Sequence, residues 1–203
     1  MSEIHTLFVS PASEGVRERK RRETRQRIAE VALRLFLTQG YDGTTLDVIA
    51  EEAGISRRTF FSYFKSKDDI ILFGVEADWA SMLGDLLKTS PDIAPINAIR
   101  DLMVRRIERH TTEQMQAIDN LMLSSESLLA RKQSLYIKQE QLLFNALCEV
   151  WRQPERRPAL RMLAMMSIGA MRIALQAWRE SSDPNKTVSS FILDAFNCVR
   201  TEL

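Results

Sequence analysis

Glycine and proline, which commonly end helices or form turns, are scarce in this 203-residue sequence, with seven glycines and six prolines. No stretch alternates apolar and polar residues in the way that a half-buried β-strand does. Leu, Ala, Glu, Arg and Met, which favour helices, are plentiful. The sequence therefore predicts an all-α protein.

Cysteine and histidine are equally scarce, with two of each in the chain. Neither pair has the spacing of a metal-binding motif, and no glycine-rich nucleotide-binding loop is present. We therefore expect no metal, no cofactor and no catalytic residues, so that the protein is not an enzyme. Cys148 and Cys198 fall on predicted helices and are typical of small apolar residues in a reducing compartment.

No apolar run approaches the roughly 18 residues that are needed to cross a bilayer. The first residues also lack the basic start and long apolar stretch of a signal peptide. The contents of 45% hydrophobic and 27% charged residues are those of an ordinary globular protein. We expect a cytoplasmic protein that does not contact the membrane.

Apolar residues recur with helical spacing along nearly the whole chain, which predicts about nine helices. Residues 1–16 show no such periodicity and are expected to form a disordered tail. The first three helices are predicted to form a small domain over residues 17–65. The longer helices of residues 66–203 are predicted to form a second, larger domain.

Two very short helices around residue 54 have clear start and stop signals. Thr45 and Ser56 are good N-cap residues, and Gly54 between the two helices favours a tight turn. The sequence "SKDD" then forms a capping box, with Ser66 and Asp69 at the start of a long helix. This is the layout of a helix-turn-helix.

The second short helix, "RRTFFSYF", has two different faces. At about 100° per residue, Phe60 and Phe64 share one side, while Arg58, Thr59 and Ser62 lie on the other. The phenylalanines are expected to anchor the helix in a core. The opposite face suits the edges of bases and nearby phosphates. Alternatively, these arginines are simply solvated or bind an acidic protein partner.

A basic run, "RERKRRETRQR", precedes this motif at residues 17–27 and holds seven basic and two acidic residues. Such a run is commonly only the solvated face of a helix. Its position next to a helix-turn-helix favours contact with an anion, and nucleic acid in particular.

The segment "ALRLFLTQGYDGTTLDVIAEEAGISRRTFFSYFKSKDDIILF" resembles the DNA-binding domain of the TetR family of bacterial transcriptional regulators. The resemblance covers residues 24–72, about a quarter of the chain, and beyond them only the number and length of the helices are similar. It implies a sequence-specific regulator that binds a palindromic operator in double-stranded DNA as a homodimer.

The resemblance also implies roles for individual residues. Arg57, Arg58 and Thr59 would start the recognition helix in the groove, with Ser62 on the same outer face. Phe61 and Tyr63 would lie against the sugar-phosphate backbone. Members of the family often carry tyrosine or leucine at positions 60–61, and Phe61 has no hydroxyl to donate to a phosphate. Other positions imply phosphate contacts: Thr44, Thr45 and Lys67.

The larger domain offers a surface for self-association and a candidate pocket. Helix 159–181 is apolar on nearly every side and must be covered, either inside the monomer or by a partner subunit. The resemblance favours the second, a homodimer interface through residues 159–201 that includes helix 187–201. Eight of the nine methionines lie after residue 80, which favours either adaptable core packing or a plastic pocket for a small hydrophobic ligand. The candidate pocket residues are Trp79, Met103, Arg106, His110, Met122, Phe144, Met166 and Trp178.

We therefore expect a DNA-binding transcriptional regulator, and specifically a repressor released by a small hydrophobic ligand. Two alternatives stay open at this point. One is a helical protein-interaction module that does not bind DNA. The other is a regulator that activates transcription or senses no ligand.

Overall fold

The structure, a computed structural model, describes residues 15–123, 126–183 and 185–202. These residues form nine α-helices, one short 3-10 helix at Pro154–Arg156 and no strand, which confirms the predicted all-α class. The helices are α1 Val16–Gln39, α2 Leu46–Glu52, α3 Arg57–Phe61, α4 Lys67–Leu86, α5 Pro95–Ile107, α6 Thr112–Leu123, α7 Glu126–Val150, α8 Arg157–Glu180 and α9 Val188–Glu202.

The predicted disordered tail lies almost wholly in residues 1–14, which are outside the described residues. Helix α1 begins at Val16, directly after Gly15, and so starts one residue before the predicted start at Arg17. Its other end is where the sequence placed it, because Gly40 takes a positive φ of 78° directly after Gln39.

Side-chain caps start the short helices as predicted. The Thr45 hydroxyl accepts from the amide of Val48, and the Ser56 hydroxyl accepts from the amide of Thr59. At the start of α4, the Ser66 hydroxyl accepts from the amide of Asp69. The Asp69 carboxylate accepts in turn from the amide of Lys65, one residue before the Ser66 amide that a capping box would use.

The chain divides into two compact units. The first comprises the described part of Met1–Asp78 together with Ala117–Leu129, and the second comprises Trp79–Gln116 and Ala130–Leu203. The domain boundary inferred from the sequence, after residue 65, stays a prediction.

The core of the first unit is built from one face of α1 and the inner sides of α2 and α3. Ile28 and Ala32 of α1, Ile49 of α2 and Phe60 of α3 are all fully buried. The ring of Phe64 packs edge-on against that of Phe73 in α4, with centroids 5.5 Å apart. These buried apolar side chains stabilise the packing of α1, α2 and α3 in the first unit.

Helix α8 is the central element of the second unit, where it packs against α5 and α9. Its inward face is apolar and ends in Trp178, which is buried. The opposite face leaves large apolar side chains in solvent, with Met162 at 58%, Met165 at 52% and Ile173 at 66% exposure.

Among the described residues one segment, Pro154–Glu180, is long and apolar enough to cross a membrane by length and composition alone. It contains no uninterrupted apolar run of that length, because arginines interrupt the apolar residues. Of its most apolar part, 39% is buried inside the protein. A core helix with an uncovered apolar face passes the same test, and the packing of α8 against α5 and α9 fits that description.

Candidate nucleic-acid interface

The turn between α2 and α3 depends on Gly54. Its φ of +66° is left-handed, a region that side chains other than glycine avoid. The Gly54 amide donates to the carbonyl of Glu51, and the Ile55 amide donates to that of Ala50. Ala50 is almost fully buried, so its small side chain lets the helices approach closely.

Helix α3 is shorter than the two turns that the sequence predicted, because it ends at Phe61. The Ser62 hydroxyl donates to the carbonyl of Thr59, and the amides of Ser62 and Tyr63 bond three residues back rather than four. The chain nevertheless keeps turning, so that Phe60 and Phe64 are 0% and 1% exposed, as the sequence predicted.

The opposite side of α3 faces solvent. Arg57, Arg58, Thr59 and Ser62 are all exposed, and Phe61 is 43% exposed. Tyr63 is half-buried. Arg58 forms no hydrogen bond or ion pair with any described residue, so its guanidinium is available to an external acceptor.

Arg57, in contrast, already has a partner. Its Nη1 lies 2.9 Å from Oδ2 of Asp47 in α2, and its Cζ lies 5.8 Å from the centre of the Phe61 ring. Asp47 lies in the first turn of α2, where a negative charge is favourable for any helix. Asp47 and Arg57 are ten positions apart in the sequence, and no local rule predicts a pairing across the turn between them.

The two threonines before α2 differ sharply. Thr45 is exposed, and its hydroxyl oxygen accepts from the amide of Val48, which leaves the hydroxyl proton for an external oxygen. Thr44 is 1% exposed, and its hydroxyl donates to the carbonyl of Gly40 at 2.7 Å. This placement does not favour the phosphate contact that the sequence suggested for Thr44, and we leave it out of the interface.

Lys67 lies at the start of α4 in a small polar cluster with Tyr41 and Asp68. Its Nζ donates to the Tyr41 carbonyl at 2.6 Å and lies 4.1 Å from the centre of the Tyr41 ring. The Tyr41 hydroxyl donates to the Asp68 carboxylate. Burial, the hydrogen bond to Asp68 and the negative charges of Asp68 and Asp42 together raise the pKa of Tyr41 well above its ordinary value.

The basic run forms the exposed first turns of α1. Arg25 stacks on aromatic rings of the first unit, with its Cζ 5.1 Å from the Phe64 ring and 4.3 Å from the Phe73 ring. Arg17, Lys20 and Arg21 precede it on the solvent-exposed part of the helix and form no ion pair with the described residues. The first unit, which holds α3, therefore also carries exposed positive charges with no ion-pair partner among the described residues.

The eight candidate pocket residues are distributed over several helices of both units. Trp79 and Met103 are buried, and Cζ of Arg106 lies 5.6 Å from the Trp79 ring. His110, Phe144 and Met166 are half-buried and Trp178 is buried, whereas Met122 is buried in the first unit.

In the described part of the second unit, the buried polar atoms without a hydrogen-bond partner include Nε1 of Trp79 and Oε1 of Gln139. The sequence singled out Trp79 as a pocket wall but did not single out Gln139. Buried polar atoms without a partner are rare in native proteins, and ligands or ordered waters commonly satisfy them.

The second unit also has an open, polar cleft of about 540 Å³ that involves none of the eight candidates. It is lined by Asp85, Lys88, Leu102, Arg105, Glu108 and Arg109. Among the described residues there is no group of three or more His, Cys, Asp or Glu side chains that could hold a metal ion.

A family model described as bacterial regulatory proteins of the tetR family matches residues 28–72. The chain is 33% identical over 110 residues to the HTH-type transcriptional regulator TcmR of Streptomyces glaucescens, covering 54% of this chain and 49% of the relative. It is 35% identical over 101 residues to the HTH-type transcriptional regulator AcrR of Shigella flexneri, covering 47% and 46% respectively. The chain thus spans about half the length of the curated relatives that it matches.

The fold extends the likeness to most of the chain. The crystal structure of Thermus thermophilus FadR, a TetR-family transcriptional repressor in complex with lauroyl-CoA, superposes with a TM-score of 0.56. The match covers 87% of this chain and 93% of that one at 20% sequence identity, which shows a shared fold. Residues 28–72 thus match the tetR family of bacterial regulatory proteins, and most of the chain shares its fold with a solved TetR-family repressor.

Proposed function

We propose that this protein is a sequence-specific, DNA-binding transcriptional regulator that acts as a homodimer. The observation that carries the proposal is the two-sided recognition element. Phe60 and Phe64 are buried in the core, while the neighbouring Arg58 is exposed and has no partner among the described residues. A helix held in this way can present a cation to a groove of DNA without reorganising.

Each exposed group has a role that its chemistry supports. Arg58 can donate two hydrogen bonds to the O6 and N7 atoms of a guanine, and the Thr59 and Ser62 hydroxyls can contact adjacent bases. Thr45 and Lys67 can donate to phosphates, while Phe61 and Tyr63 can pack against sugars. The exposed cations at the start of α1 can contact the phosphates that flank the operator.

We propose that α8 and α9, within residues 159–201, form the homodimer interface. Met162, Met165 and Ile173 form an uncovered stripe on α8, and the space beside Gly169 within that stripe is open. A matching stripe from a second copy would bury these side chains. Two recognition helices would then meet successive major grooves about 34–36 Å apart on a palindromic operator.

We further propose that the second unit binds a small hydrophobic ligand and that the ligand releases the protein from DNA, as a repressor. The Thermus thermophilus relative is a repressor that binds lauroyl-CoA, which supports this class of ligand. In the present chain, the unpartnered Nε1 of Trp79 and Oε1 of Gln139 supply one buried donor and one buried acceptor. A ligand with both kinds of group would satisfy them.

No part of this function requires a chemical step, so we propose a protein without catalytic activity or cofactor. Because it must reach DNA, we also propose that it is cytoplasmic. The ligand acts by favouring one dimer geometry over another. That shift changes the separation of the two recognition helices and therefore the fit to the operator.

The deciding experiment is selection of bound fragments from a pool of random duplexes, followed by affinity measurements across a range of salt. The proposal predicts recovery of one palindromic sequence and a steep fall of affinity with salt. A helical protein-interaction module would bind no duplex even at low salt. A promoter carrying the recovered sequence, joined to a reporter gene, then distinguishes repression from activation.

A further inference from the structure

The two adjacent arginines at the start of α3 differ in whether they form an ion pair. Arg58 has no partner among the described residues, whereas Arg57 forms an ion pair with Asp47 at 2.9 Å. Both partners of this pair are largely exposed, with 69% of the Arg57 side chain and 58% of the Asp47 side chain open to solvent. The pair therefore lies on the surface that is proposed to meet DNA.

The pair favours one direction of the Arg57 side chain over others. Asp47 belongs to α2 and Arg57 to α3, so the ion pair spans the turn of the helix-turn-helix. The guanidinium also lies near the exposed ring of Phe61, 5.8 Å from its centre. A guanidinium carries five N–H donors in a rigid fork, and one edge can hold a carboxylate while another donates to a base.

The carboxylate has a second effect, which concerns phosphates. Affinity for duplex DNA of any sequence comes mainly from cations that neutralise phosphates and release counterions. The negative charge of Asp47 offsets the charge of Arg57 and repels a phosphate that approaches it. Asp47 therefore disfavours contacts between Arg57 and phosphates, which do not depend on the DNA sequence.

We propose that Asp47 is a specificity-determining residue, which aims Arg57 at the edges of bases and withholds it from phosphates. The inference rests on the proposed function, because it concerns the same DNA-binding surface. Asp47 does not touch the bases in this proposal and acts only through Arg57. A purely structural role for Asp47, as a favourable charge in the first turn of α2, would change stability but not the preference for one sequence.

The test uses the full chain and the substitution Asp47→Asn, which keeps the shape of the side chain and removes its charge. Affinities are measured for the selected operator and for a random duplex at several salt concentrations. We expect the affinity for the random duplex to rise several-fold. The slope of log affinity against log salt concentration should become steeper by roughly 0.9, which corresponds to one additional phosphate contact. The preference for operator over random duplex should fall about tenfold, the discrimination of one bidentate base contact.

Glu51→Gln is the matched control. Glu51 lies on the same helix, is exposed and forms no ion pair with the described residues, so the substitution removes an equal charge without freeing an arginine. Both duplexes should gain affinity by the same factor, with the preference unchanged. In an Arg57→Ala background, Asp47→Asn should likewise leave the preference as it is.

The proposal is overturned if Asp47→Asn behaves like Glu51→Gln, or if it leaves the preference equal or higher. A thermal melt of each variant identifies any loss of folding, and Asp47→Glu, which keeps the charge, should retain most of the preference. Failure of the wild-type chain to bind any duplex would refute the proposed function instead. The two failures are therefore distinct.

Discussion

The ammonium group of Lys67 lies 2.6 Å from the carbonyl oxygen of Tyr41 and 4.1 Å from the centre of the Tyr41 ring. This contact ties the first residue of α4 to the loop that follows α1, across 26 positions of sequence. An ammonium group has three donors, so Lys67 keeps protons for a phosphate while its direction is fixed. The same residue therefore contributes to the shape of the domain and to its charge.

Lys67→Ala should weaken binding to the operator and to random duplex by the same factor, because a phosphate contact carries no sequence information. The salt slope should fall by about 0.9 for both. Fluorescence anisotropy at several salt concentrations measures both quantities. Lys88→Ala, an exposed lysine of the second unit, is the control and should change neither. A selective loss of operator binding would argue against a phosphate role.

Arg58→Ala should weaken operator binding far more than binding to random duplex. The loss of a bidentate contact to guanine is worth about 1–3 kcal/mol of discrimination. The measurement is the ratio of the two dissociation constants, together with a repeated selection, which should show relaxed preference at one base pair of each half-site. Arg105→Ala, an exposed arginine of the second unit, should leave the ratio intact. Equal losses on both duplexes would refute base reading by Arg58.

Gly54→Ala should destabilise the first unit by about 1–2 kcal/mol, the cost of a left-handed conformation for a residue with a side chain. An added Cβ would meet no atom within 4 Å, so the loss would come from the backbone alone. Gly84→Ala is the control, since Gly84 lies inside α4 with the same free space but helical backbone. That substitution should stabilise by about 0.5–1 kcal/mol. Urea denaturation of both variants gives the comparison, and equal shifts would contradict the assigned role of the turn.

Met165→Lys should convert the protein to monomers and abolish tight operator binding. The substitution places a charge in the centre of the proposed interface, where burial without a partner costs several kcal/mol. The dimer dissociation constant should therefore rise by about a hundredfold or more, as measured by analytical ultracentrifugation. Ile137→Lys is the control, because Ile137 is 73% exposed on α7, outside the proposed interface. A dimer that survives Met165→Lys unchanged would place the interface elsewhere.

Tyr41→Phe should remove a pH-dependent part of the stability. Burial and the hydrogen bond to Asp68 raise the pKa of Tyr41 in the folded protein above its ordinary value near 10. The stabilisation is therefore complete below pH 10 and is lost as the pH rises above 10 towards the folded-state pKa. Urea midpoints of the wild type and of Tyr41→Phe should differ by a constant amount from pH 7 to 9 and converge at higher pH. A difference between the two urea midpoints that stays constant up to pH 11 would contradict this account.

The local features of the helix-turn-helix could be predicted because each depends on residues a few positions apart. The N-caps Thr45 and Ser56 act on amides three residues ahead, and the turn requires only that Gly54 has no side chain. The inward direction of Phe60 and Phe64 follows from their spacing of four residues. Such short-range rules hold whatever the rest of the chain does.

The partners of the surface residues could not be predicted in the same way. The sequence did not show that Arg57 forms an ion pair with a carboxylate ten positions earlier in the chain. Thr44 and Thr45 are adjacent and chemically identical, yet only the packing of the loop against the core shows that Thr44 is buried and Thr45 exposed. Cys198, expected to behave as a small apolar residue, is in fact exposed on α9.

The sequence by itself determined the helical class, the positions of the helices and the face of α3 that points outward, because hydrophobic periodicity and capping are encoded within a few residues. Only the tertiary structure decided which of the outward groups are already engaged, as Arg57 and Lys67 are, and which are free, as Arg58 is. It also decided which apolar side chains of α8 are buried and which, such as Met165, remain uncovered. The physical reason is that an ion pair or a buried contact depends on distances across the fold, whereas a helix depends on neighbours along the chain.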